Sequence, residues 1–109
     1  MDRWTIVFEQ GATYTQVITI DGVADIASAT DWELVCADSD GVVYVTASIT
    51  NGRITGSDPA SKTVTIPASV TSGMPLGNGR FDFNVKFAGG VVRRYYSLGL
   101  AQVNPAAGA

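Results

Sequence analysis

Hydrophobic and polar residues alternate along most of this chain. The clearest stretch is Arg80-Phe81-Asp82-Phe83-Asn84-Val85-Lys86-Phe87, in which four apolar residues interleave with four polar ones. A period of two is the signature of a strand with one buried face. The same period places Trp4, Ile6 and Phe8 on one face, and Tyr14, Ile18 and Ile20 on another with Gln16 interrupting. Further segments carry Trp32, Leu34 and Cys36, then Val43, Val45, Ala47 and Ile49, then Val64 and Ile66 before Pro67. The last segment puts Val92, Tyr96, Leu98 and Leu100 on one face, interrupted by Arg94, and Arg93, Tyr95 and Ser97 on the other. The expected core is Trp4, Phe8, Trp32, Leu34, Val45, Ile66, Phe81, Phe83, Val85, Leu98 and Leu100.

Turn dipeptides punctuate these segments: Asp21-Gly22, Asp40-Gly41, Asn51-Gly52, Asn78-Gly79 and Gly89-Gly90. Asn, Asp and Gly tolerate the backbone conformations of tight hairpins. Helical spacing is absent except for one turn within Ala68–Met74, which Gly73 and Pro75 cut short. The pattern predicts an all-β chain with negligible helix, an antiparallel β-sandwich of about seven strands, Ig-like or jelly-roll-like. A closed barrel is the alternative architecture. Residues 1–103 form the single expected domain, and 104–109 an extended C-terminal tail with too little apolar surface to pack an element.

Composition narrows the chemistry. The 109 residues are 46% hydrophobic and 16% charged, which opposes disorder. The net charge of −3 and pI of about 4.5 oppose a nucleic-acid partner. There is no histidine, so the commonest general base and zinc ligand are missing, and with them every Ser-His or Cys-His nucleophile. One cysteine, Cys36, excludes an intrachain disulfide. No basic-then-apolar leader opens the sequence and no apolar run reaches the ~20 residues of a membrane span, so a soluble protein made in a reducing cytoplasm is expected.

Four groups of residues invite a chemical reading. Asp38-Ser39-Asp40-Gly41 begins like a calcium loop, but its fifth and twelfth positions are Val42 and Ile49, so a hairpin turn is expected instead. Asp31 and Glu33 lie on one strand face at roughly 6–7 Å, a spacing compatible with paired acid–base carboxylates, but any solvated strand face shows it and without a pocket signal a surface role is expected. Cys36 shares the Trp32 and Leu34 face and is expected in the core. Arg93-Arg94-Tyr95-Tyr96 combines two residue types enriched at interfaces. It also fits a charged edge that discourages unwanted pairing, and Tyr95 with Tyr44 fits an aromatic platform for a sugar. Arg94, on the face assigned to the core, is expected to snorkel, to pair with a carboxylate such as Asp82, or to face a partner subunit. The linker 56–62 is read as a connection only. No catalytic, cofactor-binding or metal residues are assigned, and no cofactor or catalytic metal is expected.

The order of these segments resembles a known class. Phe8-Glu9-Gln10-Gly11-Ala12-Thr13-Tyr14 joins two strands through a glycine, Asp21 to Ala27 leads into the Trp32 strand, and Asn78-Gly79-Arg80-Phe81-Asp82-Phe83 opens the closing hairpin. This arrangement is similar to the small β-sandwich modules of tailed-bacteriophage structural proteins, of the tail-fibre, baseplate, neck or capsid-decoration type. The resemblance implies a non-enzymatic structural accessory protein of a virion, made in the host cytoplasm. It would act by contacts with other virion proteins (capsid, neck or tail) and with further copies of itself, without nucleic acid or membrane. The candidate interface is Tyr44, Arg93, Arg94, Tyr95, Asn104 and Pro105. The alternative reading is a carbohydrate-binding host-adhesion module.

Overall fold

The computed structural model describes residues 5–20 and 25–106, with the backbone alone at 95–98. Among the described residues eight strands follow one another: β1 Thr5–Glu9, β2 Tyr14–Thr19, β3 Ala29–Ala37, β4 Val43–Ser48, β5 Ile54–Thr55, β6 Ser61–Ile66, β7 Gly77–Phe87 and β8 Val91–Asn104. A five-stranded sheet has the order β1-β8-β7-β3-β4, and a three-stranded sheet the order β2-β6-β5. The all-β sandwich expected from the alternation is the architecture found. Strand pairs are antiparallel, except that β1 runs parallel to β8. β1 does so because the chain crosses to the other sheet after Gln10-Gly11 instead of turning back beside itself.

The core lies between the sheets. On β3, Trp32, Leu34 and Cys36 face inward, directly paired with Val85, Phe83 and Phe81 on β7. Ile6 and Phe8 from β1 and Ala101 and Val103 from β8 extend this layer. Ile18, Ile54, Val64 and Ile66 cover it from the smaller sheet. Rings meet edge to face: Trp32 with Phe83 at 5.7 Å and Phe8 with Tyr14 at 4.8 Å between centroids. Each large side chain removed from water contributes roughly 1.5–3 kcal/mol, so this cluster is the main source of stability.

Among the described residues helical structure is confined to single turns. Ala68–Thr71 (α1) follows Pro67, and 3-10 turns occupy Ile26–Ser28 and Ala88–Gly90. Thr71 is fully buried, and its Oγ donates to Ala12 O at 2.9 Å. Gln10 Nε2 donates to Met74 O at 2.7 Å. The α1 segment is thereby tied to the link that carries the chain from one sheet to the other.

Several expectations are corrected. β5 is an eighth strand, too short to show a period. Asn78-Gly79 is not a turn but lies within β7, and Gly79 passes so close to β3 that a Cβ there would strike the Ala37 carbonyl. The phase of β8 is inverted at both ends. Ala101 and Val103 point inward, while Leu100, assigned to the core, is 37% exposed on the outer face. The cause is two register shifts: Phe81 pairs with Gly99, Phe83 with Tyr96, and Asn84 with Arg94, so β8 carries extra residues twice. Each bulge exchanges the two faces of the strand beyond it. The final strand also runs through Asn104, which pairs with Glu9, so the ordered sandwich passes the expected boundary at 103. The turn at Asp21-Gly22 and the core positions Trp4 and Leu98 lie outside the residues and side chains described.

Candidate interaction surface

The pairing register defines the outer face of the larger sheet. Leu100 on β8 sits opposite Arg80 on β7 and beside Thr5 and Val7 on β1. Farther along, Arg94 and Val92 lie opposite Asn84 and Lys86. Val7 is 45% exposed, and Val92 and Val43 are also exposed. This face therefore mixes branched apolar side chains with arginines. A shallow groove of about 270 Å³ opens on it, lined by Val35, Ala37, Asp38, Val43, Arg80 and Asp82 among others.

The expected interface residues are divided by the fold. Arg94 is on the outer face, where its Nε donates to Asn84 Oδ1 at 3.1 Å. It is not set into the core, because the bulges of β8 reverse its side, and the register places it opposite Asn84. Arg93 takes the side of Val85 at the open end of the sandwich, not an outward face shared with Tyr95. Its guanidinium makes a bidentate pair with Asp25 at 2.8 Å and lies 4.6 Å from the centre of the Phe87 ring. The Arg93 pair and hydrogen bonds hold the Asp25 carboxyl below its ordinary value of 3.8.

Tyr44 is not an exposed platform. A register shift beside it sets Cys36 opposite Val45 and Ala37 opposite Val43. The bulge turns the Tyr44 ring against Phe8, at 6.3 Å between centroids, and its hydroxyl is buried. Burial pushes that hydroxyl well above the ordinary tyrosine range. Half-buried and packed on Phe8, the Tyr44 ring does not stand out from the sheet as expected. The side chain of Tyr95 is outside those described. Pro105 is exposed just beyond β8, whereas Asn104 is half-buried within it and accepts from Gln102 Nε2 through Oδ1.

The remaining candidate groups hold the fold together. Asp38 Oδ1 accepts from the backbone N–H of Asp40 at 2.9 Å and of Val42 at 3.0 Å, closing the β3–β4 hairpin as an Asx turn. Asp31 accepts from Ile49 N, Thr50 N and Thr50 Oγ, which fixes the end of β4. Glu33 pairs with Lys86 across to β7 at 3.1 Å. Asp31 and Glu33 thus answer to separate partners and make no acid–base pair. Cys36 is fully buried, and desolvation pushes its thiol up to about 12. Among the described residues no cluster of three or more metal-ligating side chains occurs.

Sequence reasoning missed Asp25, Arg53, Gln10 and Thr71. Arg53 Nη1 and Asn51 Nδ2 both donate to Thr46 O on β4, at 3.0 and 2.8 Å. An Asn-Gly turn signals the loop, but nothing local signals that its side chains fold back onto the strand edge.

No protein-family model matches the chain, and no curated protein matches it in sequence. Among solved structures it is similar to the Ig-like domain of mouse leukocyte-associated immunoglobulin-like receptor 1, crystallised as a strand-swapped dimer. The two share 14% identity over 92% of this chain and 88% of that one, with a TM-score of 0.54. At that identity the likeness is one of fold, an Ig-like β-sandwich.

Proposed function

We propose that this chain is a non-enzymatic structural accessory protein that works by protein–protein contacts, and that its setting is the virion of a tailed phage. One observation carries the contact reading. The outer face of the larger sheet exposes Val7, Leu100 and Val92 beside Arg80 and Arg94. Apolar area flanked by arginine suits a protein partner, since Arg anchors an interface by both packing and directional hydrogen bonds. The carboxylates that invited a catalytic reading are committed to turns and cross-strand pairs, which supports a role without catalysis. The virion setting rests on the segment order in the sequence, and attachment to a repeating lattice favours self-association.

The test is co-sedimentation with assembled particles and gold labelling of those particles. The wild-type protein is expected to travel with them at regular positions. A Val7→Glu, Leu100→Glu variant is expected to keep its β circular dichroism and stay in the supernatant. Wild-type protein left wholly in the supernatant overturns the virion setting. Retention of the double variant at wild-type occupancy overturns the assignment of the face.

A further inference from the structure

The four sheet edges are guarded very unequally. β4 is blocked by its own loop: Thr46 O is held by Asn51 and Arg53, and Ser48 N by Asn51 Oδ1. β5 has only two residues. β1 has five and ends in the acidic Glu9. β2 has six residues, Tyr-Thr-Gln-Val-Ile-Thr, with no charge, no proline and no bulge in its pairing. Among the described residues nothing pairs with its free side. Short strands, charge and bulges are how proteins keep edges from pairing, and β2 uses none of them.

The backbone direction of that edge follows from its neighbours. Ile20 N donates to Ala60 O, and Thr65 N donates to Arg53 O on the far side of β6. By alternation the polar groups of Tyr14, Gln16 and Ile18 turn toward β6. Those of Thr15, Val17 and Thr19 turn outward. The outward set is symmetric about Val17, which is 56% exposed.

We propose that β2 is a self-pairing edge: two copies of this chain join β2 to β2 antiparallel, about a two-fold axis at Val17, and merge their small sheets. Val17 then faces Val17 of the other copy, and Thr15 faces Thr19 in both directions. All three pairs are of the hydrogen-bonded kind, in which both N–H···O bonds are exchanged. The pairing is isologous, so a charged residue near the axis would meet its own like, and the strand carries none. β-Branched residues facing one another across strands are favourable pairs. One local contact opposes the union. Gln16 Nε2 donates to Val17 O at 2.9 Å, so the amide must swing aside before that carbonyl can accept from the other copy. Gln16 is therefore a weak guard, and it sets the affinity. The inference deepens the self-association in the proposed function and rests on that part of it alone, not on the virion setting.

Sedimentation of the full chain over a concentration series up to the millimolar range tests it. Wild type is expected to dimerise as concentration rises. Val17→Lys places like charges on the axis and is expected to weaken dimerisation at least ten-fold, with unchanged circular dichroism because the side chain is exposed. Gln16→Ala removes one competing hydrogen bond and is expected to tighten the dimer roughly five-fold. Val17→Cys is expected to give a covalent dimer with a short bifunctional thiol cross-linker, since the hydrogen-bonded pair sets the facing Cα atoms at about 5.5 Å. The cysteine variant keeps the question answerable if Val17→Lys fails to fold. Wild type that remains monomeric throughout overturns the proposal, as does the absence of a covalent dimer. A wild-type dimer untouched by Val17→Lys but lost in Val7→Glu, Leu100→Glu overturns β2 pairing and leaves the outer-face reading standing.

Discussion

The Phe81 ring occupies the space that a side chain at Gly99 would need. The two residues pair directly across β7 and β8, and a Cβ built on Gly99 would lie 2.5 Å from Phe81 Cζ. Gly99 also closes the second bulge of β8, so the ring and the bulge meet at the same missing side chain. Gly99→Ala is expected to force the ring off its rotamer and to cost about 1–3 kcal/mol, the usual range for overpacking. Urea unfolding reads the loss. A change within experimental error would mean that β8 shifts freely and that the bulge is not fixed by Phe81.

Phe83 tests the core. It is 1% exposed and meets Trp32 edge to face. Phe83→Ala is expected to cost roughly 3–5 kcal/mol, combining lost burial with the cavity left between the sheets. A loss below about 1 kcal/mol would place the residue on the wrong face of β7.

Much of this core is legible in the sequence, because β1 and β3 bury alternate residues along their length and β7 does so from Gly79 to Phe83. The inward faces of β3 from Trp32 to Cys36 and of β7 from Phe81 to Val85 can be read residue by residue, as can the free cysteine and the Asp38 turn. β8 cannot. Two bulges exchange its faces, and a bulge leaves no mark in a binary pattern when the residues around it are Arg-Arg-Tyr-Tyr. The same failure misplaced Tyr44, where one bulge turns an apparently outward ring against Phe8. The candidate surface suffered most, since Arg93 finds Asp25 across 68 residues of sequence. Contacts of that range are set by how sheets stack, which local periodicity does not encode.

Asp31 is expected to matter for stability and not for chemistry. Its carboxylate gathers two backbone N–H groups and the Thr50 hydroxyl at the end of β4. Asp31→Ala leaves these donors without their partner and is expected to cost about 1–3 kcal/mol. Asp31→Asn keeps one acceptor oxygen and should cost less. Equal losses for the two variants, measured by thermal unfolding, would show that the carbonyl oxygen contributes nothing.

Cys36 is expected to be inert in the native protein. The thiolate is the reactive form, and burial raises the thiol to about 12 while also denying access. A disulfide reagent at neutral pH should label it only after denaturant is added. The raised value also has a sign in stability. The contribution is fully present below the ordinary thiol range of about 8.5 and is lost as pH rises toward the folded value, because the unfolded chain ionises first. Native labelling at the rate of a free thiol would contradict the burial.

Asp25 gives the acid-side counterpart. Its carboxyl is held below the ordinary value of 3.8 by Arg93, which also stacks on Phe87. A depressed value means that the contribution is present above the unfolded pKa and is lost as pH falls through the folded one. Both partners are exposed, so the effect is small and screened by salt. Asp25→Asn is therefore expected to be slightly less stable than wild type at neutral pH. The difference should close as pH falls below the carboxylate range, and it should shrink in high salt at any pH. Paired urea titrations of the two proteins across that range make the comparison. A difference that persists unchanged at low pH would assign the effect of the substitution to packing of the Ile26–Ser28 turn instead of to the ion pair.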